Sequence, residues 1–269
     1  MPRSFVLRPC RGAKVGSSFL RVLAALAAIA VLAAPGGRAQ AGGLTSGRLL
    51  YPDLGVAPLD EVYLVSSGGR RELRFTTKIV NVGEGPMAVA ALRMNVHSDF
   101  ATWQRVRKSG GGWAQLRTPD VKLVYIGSRE HGHWHVRRAA HYRLVRLDTG
   151  KRVRTGVKVG FCYFDDTTYR ASLPGAPQRP VYAKAACGTP GDLRIVTGIS
   201  VGWLDAYYWR IPGQSLDVTG LPSGRYRLSV TADPENWFRE MNERNNTTWV
   251  EFSFSPQRGA TQLRHGPRP

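Results

Sequence analysis

The sequence predicts an all-β fold, a β-sandwich with long loops in a single domain behind an N-terminal signal peptide. Three observations carry that prediction: apolar residues alternate with period two in several segments, turns rich in Gly and Pro separate them, and no amphipathic helical pattern exceeds two turns. Leu73, Phe75, Thr77 and Ile79 alternate with Arg74, Thr76, Lys78 and Val80, as a half-buried strand requires. Gly83-Glu84-Gly85-Pro86 then turns the chain into residues 87–94, a second strand. Tyr142, Leu144 and residues 153–161 flank Asp148-Thr149-Gly150-Lys151, which reads as a hairpin turn. Further strands are expected in 193–209 and 226–230, and around Val250, Phe252 and Phe254, with loops at 108–113 and 171–179. From Gln257 onward the tail lacks apolar anchors and is expected to be disordered, which leaves 42–256 as the folded domain.

The first 41 residues stand apart. Arg3, Arg8, Arg11, Lys14 and Arg21 precede an unbroken apolar run over 22–34, and Ala39-Gln40-Ala41 follows. That order is that of a secretory signal peptide cut after Ala41. The apolar run falls short of the roughly 20 residues a membrane-spanning helix needs, so the mature chain is expected to be secreted, extracellular or held in the cell envelope, with no membrane span. The leader carries six basic residues and no acid, which leaves 32 basic against 19 acidic groups and a charge of +13. Such a charge favours anionic surroundings such as a cell-envelope polymer, a lipid surface or nucleic acid. Nucleic acid is not expected, because the basic residues are dispersed and no helix-turn-helix, RNA-binding or zinc-finger spacing occurs. Cleavage also removes Cys10 and leaves Cys162 and Cys187, which in an exported chain read as one disulfide. The 42% apolar and 21% charged content excludes an acidic disordered chain and a collagen-like repeat.

The chemistry centres on Glu130-His131-Gly132-His133-Trp134-His135, which holds three of the six histidines. On an extended segment, positions i, i+2 and i+4 point to one side. Their spacing of about 6.6–6.8 Å along a strand means that His131, His133 and His135 can share one ion only if the strand bends, and Gly132 helps to supply a bend. Three neutral imidazoles without a thiolate suit Cu(II) or Zn(II). His141, six residues on, reads as a surface residue rather than a fourth ligand.

His131-Gly132-His133-Trp134-His135 resembles the copper-binding run of the lysyl oxidase family, and further segments match in the same order. These are Leu147 to Lys151, Lys158-Val159-Gly160-Phe161-Cys162, Asp165-Asp166-Thr167, Asp205-Ala206-Tyr207, Leu216 to Thr219, Gly224-Arg225-Tyr226 and Asn245-Asn246. Tyr51-Pro52-Asp53-Leu54, Leu73-Arg74-Phe75 and Val80-Asn81-Val82-Gly83 extend the resemblance over residues 50–252. It implies a copper(II) amine oxidase whose lysine tyrosylquinone is made from its own side chains. By the same resemblance His131, His133 and His135 bind copper, and Lys158 and Tyr207 form the quinone. Primary amines, peptidyl-lysine or small molecules, are then oxidised to aldehydes with release of hydrogen peroxide and ammonia.

Lys158 alternates with Val157, Val159 and Phe161, which places it on the side of Gly160 and Cys162, where the small Gly160 is expected to leave room. Asp205 is the favoured base because it shares a strand face with Tyr207; Asp165 and Asp166 are the other candidates. Tyr208 adjoins Tyr207, and with Trp209 is expected to wall the site or join the core. The other reading is a non-enzymatic exported sandwich that binds copper, zinc or an anionic envelope polymer. Asn245-Asn246-Thr247-Thr248 also contains overlapping glycosylation sequons.

Overall fold

The structure, a computed structural model, describes residues 47–127 and 132–269, with 157–159 described by their backbone alone. The expected leader and His131 therefore lie outside the described residues. Residues Leu44–Pro269 make one compact unit. Its strands, in chain order, are β1 (Leu49–Leu50), β2 (Leu54–Val56), β3 (Val62–Ser67), β4 (Arg70–Phe75), β5 (Thr77–Asn81) and β6 (Met87–Leu92). Next come β7 (Ala101–Lys108), β8 (Trp113–Arg117), β9 (Leu123–Ile126), β10 (His133–Arg146), β11 (Arg152–Phe161) and β12 (Thr167–Thr168). The last six are β13 (Arg194–Ile199), β14 (Trp203–Tyr207), β15 (Ser215–Asp217), β16 (Gly224–Ala232), β17 (Thr247–Ser255) and β18 (Gly259–His265). The one helical element among the described residues is a 3-10 turn over Lys184–Cys187. None of their helices is long and apolar enough to cross a membrane.

Among the described residues all pairings are antiparallel, in four sheets. The largest runs β11-β10-β16-β17-β18, with β9 also on β10; β1-β7-β6-β13, with β8 on β7, forms a second. The others run β12-β14-β5-β2 and β15-β4-β3. The all-β sandwich class follows from the alternation on the inner faces. Leu73, Phe75, Thr77 and Ile79 are all fully buried, so the period-two pattern runs unbroken through this stretch. The backbone pairing does not. The chain changes sheet at Thr76, whose N–H bonds to the Glu61 carbonyl while its hydroxyl accepts the Trp209 N–H. The hairpin expected at 148–151 joins β10 to β11, with Gly150 at φ 65° and Arg146 bonded to Asp148. At the turn after β5, the Asn81 amide accepts the N–H groups of Asp53 and Gly83 and donates to the carbonyls of Gly85 and Ile199.

The tail departs from expectation. Residues 259–265 form β18 on β17, Thr248 donates to the Pro267 carbonyl, and Pro269 abuts Gly55. Side-chain polarity gives no sign of this, because the strand is held by main-chain hydrogen bonds to the β17 edge while most of its side chains face solvent. The sequon asparagines are also occupied within the fold. Asn245 donates to Asp53, and the buried Asn246 donates to Glu240, whose carboxylate also accepts the Leu54 N–H. Burial pushes the Glu240 carboxyl up to about 9 and Asp233 up to about 6.

Candidate active site

The site is built where β10 runs between β9 and β11. His133 pairs with Ile126 and His135 with Val124, and Val136 lies opposite Phe161. Alternation then puts His133 and His135 on one face and Trp134 and Val136 on the other. Trp134 is fixed by edge contacts to Phe100 and Tyr125 and by its indole N–H on the Thr189 carbonyl, 2.8 Å. Both histidines are buried, and their rings stack at 4.5 Å between centroids.

Gly160 makes room for this pair. A Cβ there would meet the His135 Cβ at 2.5 Å and the Val136 carbonyl oxygen at 2.8 Å. Gly160 thus lets His135 pack directly against the β11 backbone, while the surroundings of the Lys158 side chain lie outside what is described. At 158 the β11 backbone pairs with Ala140, across an irregularity between Arg137 and Ala140 where Arg138 adopts φ 57°.

Tyr207 ends β14 with its ring buried. It packs against Phe161 at 4.1 Å and stands edge-on to His135 at 6.2 Å. Its hydroxyl accepts the Cys162 N–H at 3.1 Å. Burial first, and then the neighbouring Asp205, raise this phenol well above its ordinary value of 10.0, so it is neutral at physiological pH. Asp205, two residues earlier on β14 and fully buried, accepts the Tyr163 N–H at 3.3 Å.

Successive N–H groups of Cys162 and Tyr163 thus point at Tyr207 and Asp205. They can do so because Tyr163 adopts φ 60°, a left-handed conformation uncommon for a bulky residue. Sequence reasoning misses Tyr163, because nothing in the chain distinguishes a left-handed tyrosine from a core one. Cys162 is joined to Cys187, with 5.7 Å between Cα atoms, so the end of β11 is tied to the 3-10 turn. A His133 nitrogen and both sulfurs lie within 4.8 Å of one another. The sulfurs are bonded to each other and are not thiolates, which leaves imidazole as the donor type for a metal here.

The other candidates are placed elsewhere. Asp165 is saturated: it accepts the N–H groups of Ser200, Val181 and Tyr182 and the Ser200 hydroxyl, clamping two loops together. Asp166 accepts the Tyr208 hydroxyl at 3.0 Å. Tyr208 does not wall the site. It is 45% exposed and lines a cavity of about 690 Å³ with Tyr169, Lys78 and Ala206, on the reverse face of β14. Trp209 packs against Tyr63, the rings tilted at 43° with 4.5 Å between centroids. His141 hydrogen-bonds Thr155 at 2.9 Å, six residues and roughly 20 Å of extended chain from His135.

Residues 102–262, more than half of the chain, match the family model for lysyl oxidase. The chain is 28% identical to lysyl oxidase homolog 2 of Gallus gallus over 195 residues, 72% of this chain and 20% of that protein. Against lysyl oxidase homolog 4 of Mus musculus it is 28% identical over 192 residues, 71% of this chain and 20% of that protein. Against lysyl oxidase homolog 1 of Homo sapiens the figure is 31% over 126 residues, 46% of this chain and 20% of that protein. The chain therefore aligns with about a fifth of the length of the curated relatives it matches.

Proposed function

The chain belongs to the lysyl oxidase family, and from that premise we propose that it is an exported, copper-dependent amine oxidase with a lysine tyrosylquinone derived from Lys158 and Tyr207. The observation that supports this most is the meeting of His133, His135, Tyr207 and Asp205, from two different sheets, in one buried site. The donor chemistry fits copper: two buried imidazoles share a face, and the nearby sulfurs are closed off as a disulfide. His131, His133 and His135 would hold the ion. Copper and the quinone together would supply the two-electron oxidation of a primary amine, with water consumed to give the aldehyde and ammonia and dioxygen reduced to hydrogen peroxide.

The residues of the chain divide the remaining work. The Cys162 N–H holds the Tyr207 oxygen, and the Phe161 ring fixes the plane of the aromatic side chain, a contact worth about 0.5–1.5 kcal/mol beyond its area. Asp205 takes the proton from the α-carbon of the amine on its carboxylate, which the Tyr163 N–H orients. The disulfide persists only in an oxidising compartment, which supports export. Lysine side chains of proteins and small amines are the substrate class. The surplus of basic residues disfavours lysine-rich polymers by like-charge repulsion at low salt.

Peptide mapping of protein matured with copper and oxygen tests the proposal. A covalent link between the peptides of Lys158 and Tyr207, with hydrogen peroxide formed only when an amine is added, is the expected result. Unlinked peptides from copper-saturated, aerated protein would replace the enzyme with a metal- or polymer-binding sandwich.

A further inference from the structure

The sheet built on β6, β7, β8 and β13 turns one face to the core and the other to solvent. Thr102, Gln104 and Val106 of β7 are buried, so Trp103, Arg105 and Arg107 lie on the outer face. Register extends that face sideways. Trp103 lies opposite Arg117, Arg105 opposite Gln115 and Arg107 opposite Trp113 on β8. On the other side, Trp103 pairs with Ala90, and Leu92 of β6 with Arg194 of β13.

The Arg105 guanidinium sits 4.3 Å and that of Arg107 5.3 Å from the Trp113 ring, and Arg117 lies 5.7 Å from Trp103. Indole faces thus hold three arginines as a flat, ordered array, which lowers the entropy lost when each engages an anion. A groove of about 340 Å³ lies beside this array, floored by Ala90 and Leu92 and bounded by Trp103, Arg105 and Arg194. These strand positions contribute four arginines and no acid to the face. Among the described residues none of the four pairs with a carboxylate, and Glu84, at the rim near Arg107, is bonded to Arg48. Same-face neighbours recur about every 6.8 Å along a strand and 4.8 Å across strands, a spacing that suits a polymer with a charge on each successive unit.

We propose that this face binds a linear anionic polysaccharide, its acidic groups on Arg105, Arg107, Arg117 and Arg194 and its sugar rings in the Ala90–Leu92 groove. Charge complementarity carries the assignment, and the shallow apolar floor favours sugar rings over bases, which need open aromatic faces while Trp113 is already covered by arginine. Binding here holds the protein at an acidic surface through a face that excludes every residue of the oxidase site, and it does not depend on the oxidase reading.

The test is equilibrium binding of polygalacturonate oligosaccharides by the full mature chain across a salt series, with neutral dextran and oligo-dT as comparison probes. A triple variant, Arg105→Gln, Arg117→Gln and Arg194→Gln, is set against Arg70→Gln, Arg152→Gln and Arg258→Gln, which removes the same charge from exposed positions elsewhere. The proposal expects about a 30-fold loss for the first triple and a slope of log affinity against log salt reduced by about three. The second triple should lose no more than about threefold. Equal losses in both triples would overturn it, since binding would then follow net charge alone. So would dextran binding of the same strength, or tighter binding of oligo-dT lost with the same three arginines. Melting curves matching the parent for both triples establish that the comparison is between folded proteins.

Discussion

Two arrays of aromatic and polar side chains sit on β-sheets of this molecule and behave oppositely. At the start of β10, His133 and His135 stack beside Tyr207 and Phe161, all four side chains buried. On the outer face of β7 and β8, Trp103 and Trp113 hold arginines that remain in solvent. Both use rings to fix the geometry of polar groups. Burial separates them: it keeps the Tyr207 phenol neutral, whereas exposure keeps guanidinium groups charged and available to a large anion. Reactions on small molecules are proposed for the first array, and adhesion for the second.

The sharpest way to break this contrast is to remove the phenol. Tyr207→Phe should lower amine-dependent peroxide formation at least about a thousand-fold, since the proposed function makes this phenol the precursor of the cofactor. It should also cost about 1–3 kcal/mol in denaturant unfolding, because the Cys162 N–H is left without its acceptor. Gly160→Ala acts next. The new methyl collides with the His135 Cβ and the Val136 carbonyl, which predicts about 1–3 kcal/mol of destabilisation and copper affinity weakened about tenfold by isothermal titration.

Paired carboxylate variants separate chemistry from structure. Asp165→Asn should lose about 2–3 kcal/mol of stability, because its four donors meet an amide in place of a carboxylate. Asp205→Asn should lower kcat by about a hundredfold or more. A milder effect lies away from both arrays. Glu240 is raised to about 9 and Asp233 to about 6, so the folded state holds more protons than the unfolded chain. Their contribution is full below about pH 4 and is lost as pH rises through 6 and then 9. The melting temperature of chelator-treated protein should therefore fall over that range, and Glu240→Gln should flatten the fall. Smallest of all, His141→Ala should change stability by no more than about 0.5 kcal/mol and leave activity unaltered, since its bond to Thr155 is peripheral to both arrays.

Local chemistry by itself determined much of this protein. Alternation from Leu73 to Ile79, the turn at 148–151 and the cysteine count were enough for the strand class, the β10–β11 hairpin and the Cys162–Cys187 disulfide, because each is a property of neighbouring residues or of the two cysteines that follow the expected leader. The ordered motifs likewise placed the chain in its family. Long-range packing decided the rest. The change of sheet at Thr76 leaves the alternation intact and so is invisible in it. The pairing of 259–265 with β17 depends on an open edge elsewhere in the chain, and the tail's own polarity argues against it. That Tyr207 faces His135 while Tyr208 faces away is one consequence of β14 lying in a different sheet from β10, and that Tyr163 turns left-handed to aim two N–H groups at one site is another. Spacing tells which residues share a strand face, but only the packed sheets determine what that face meets.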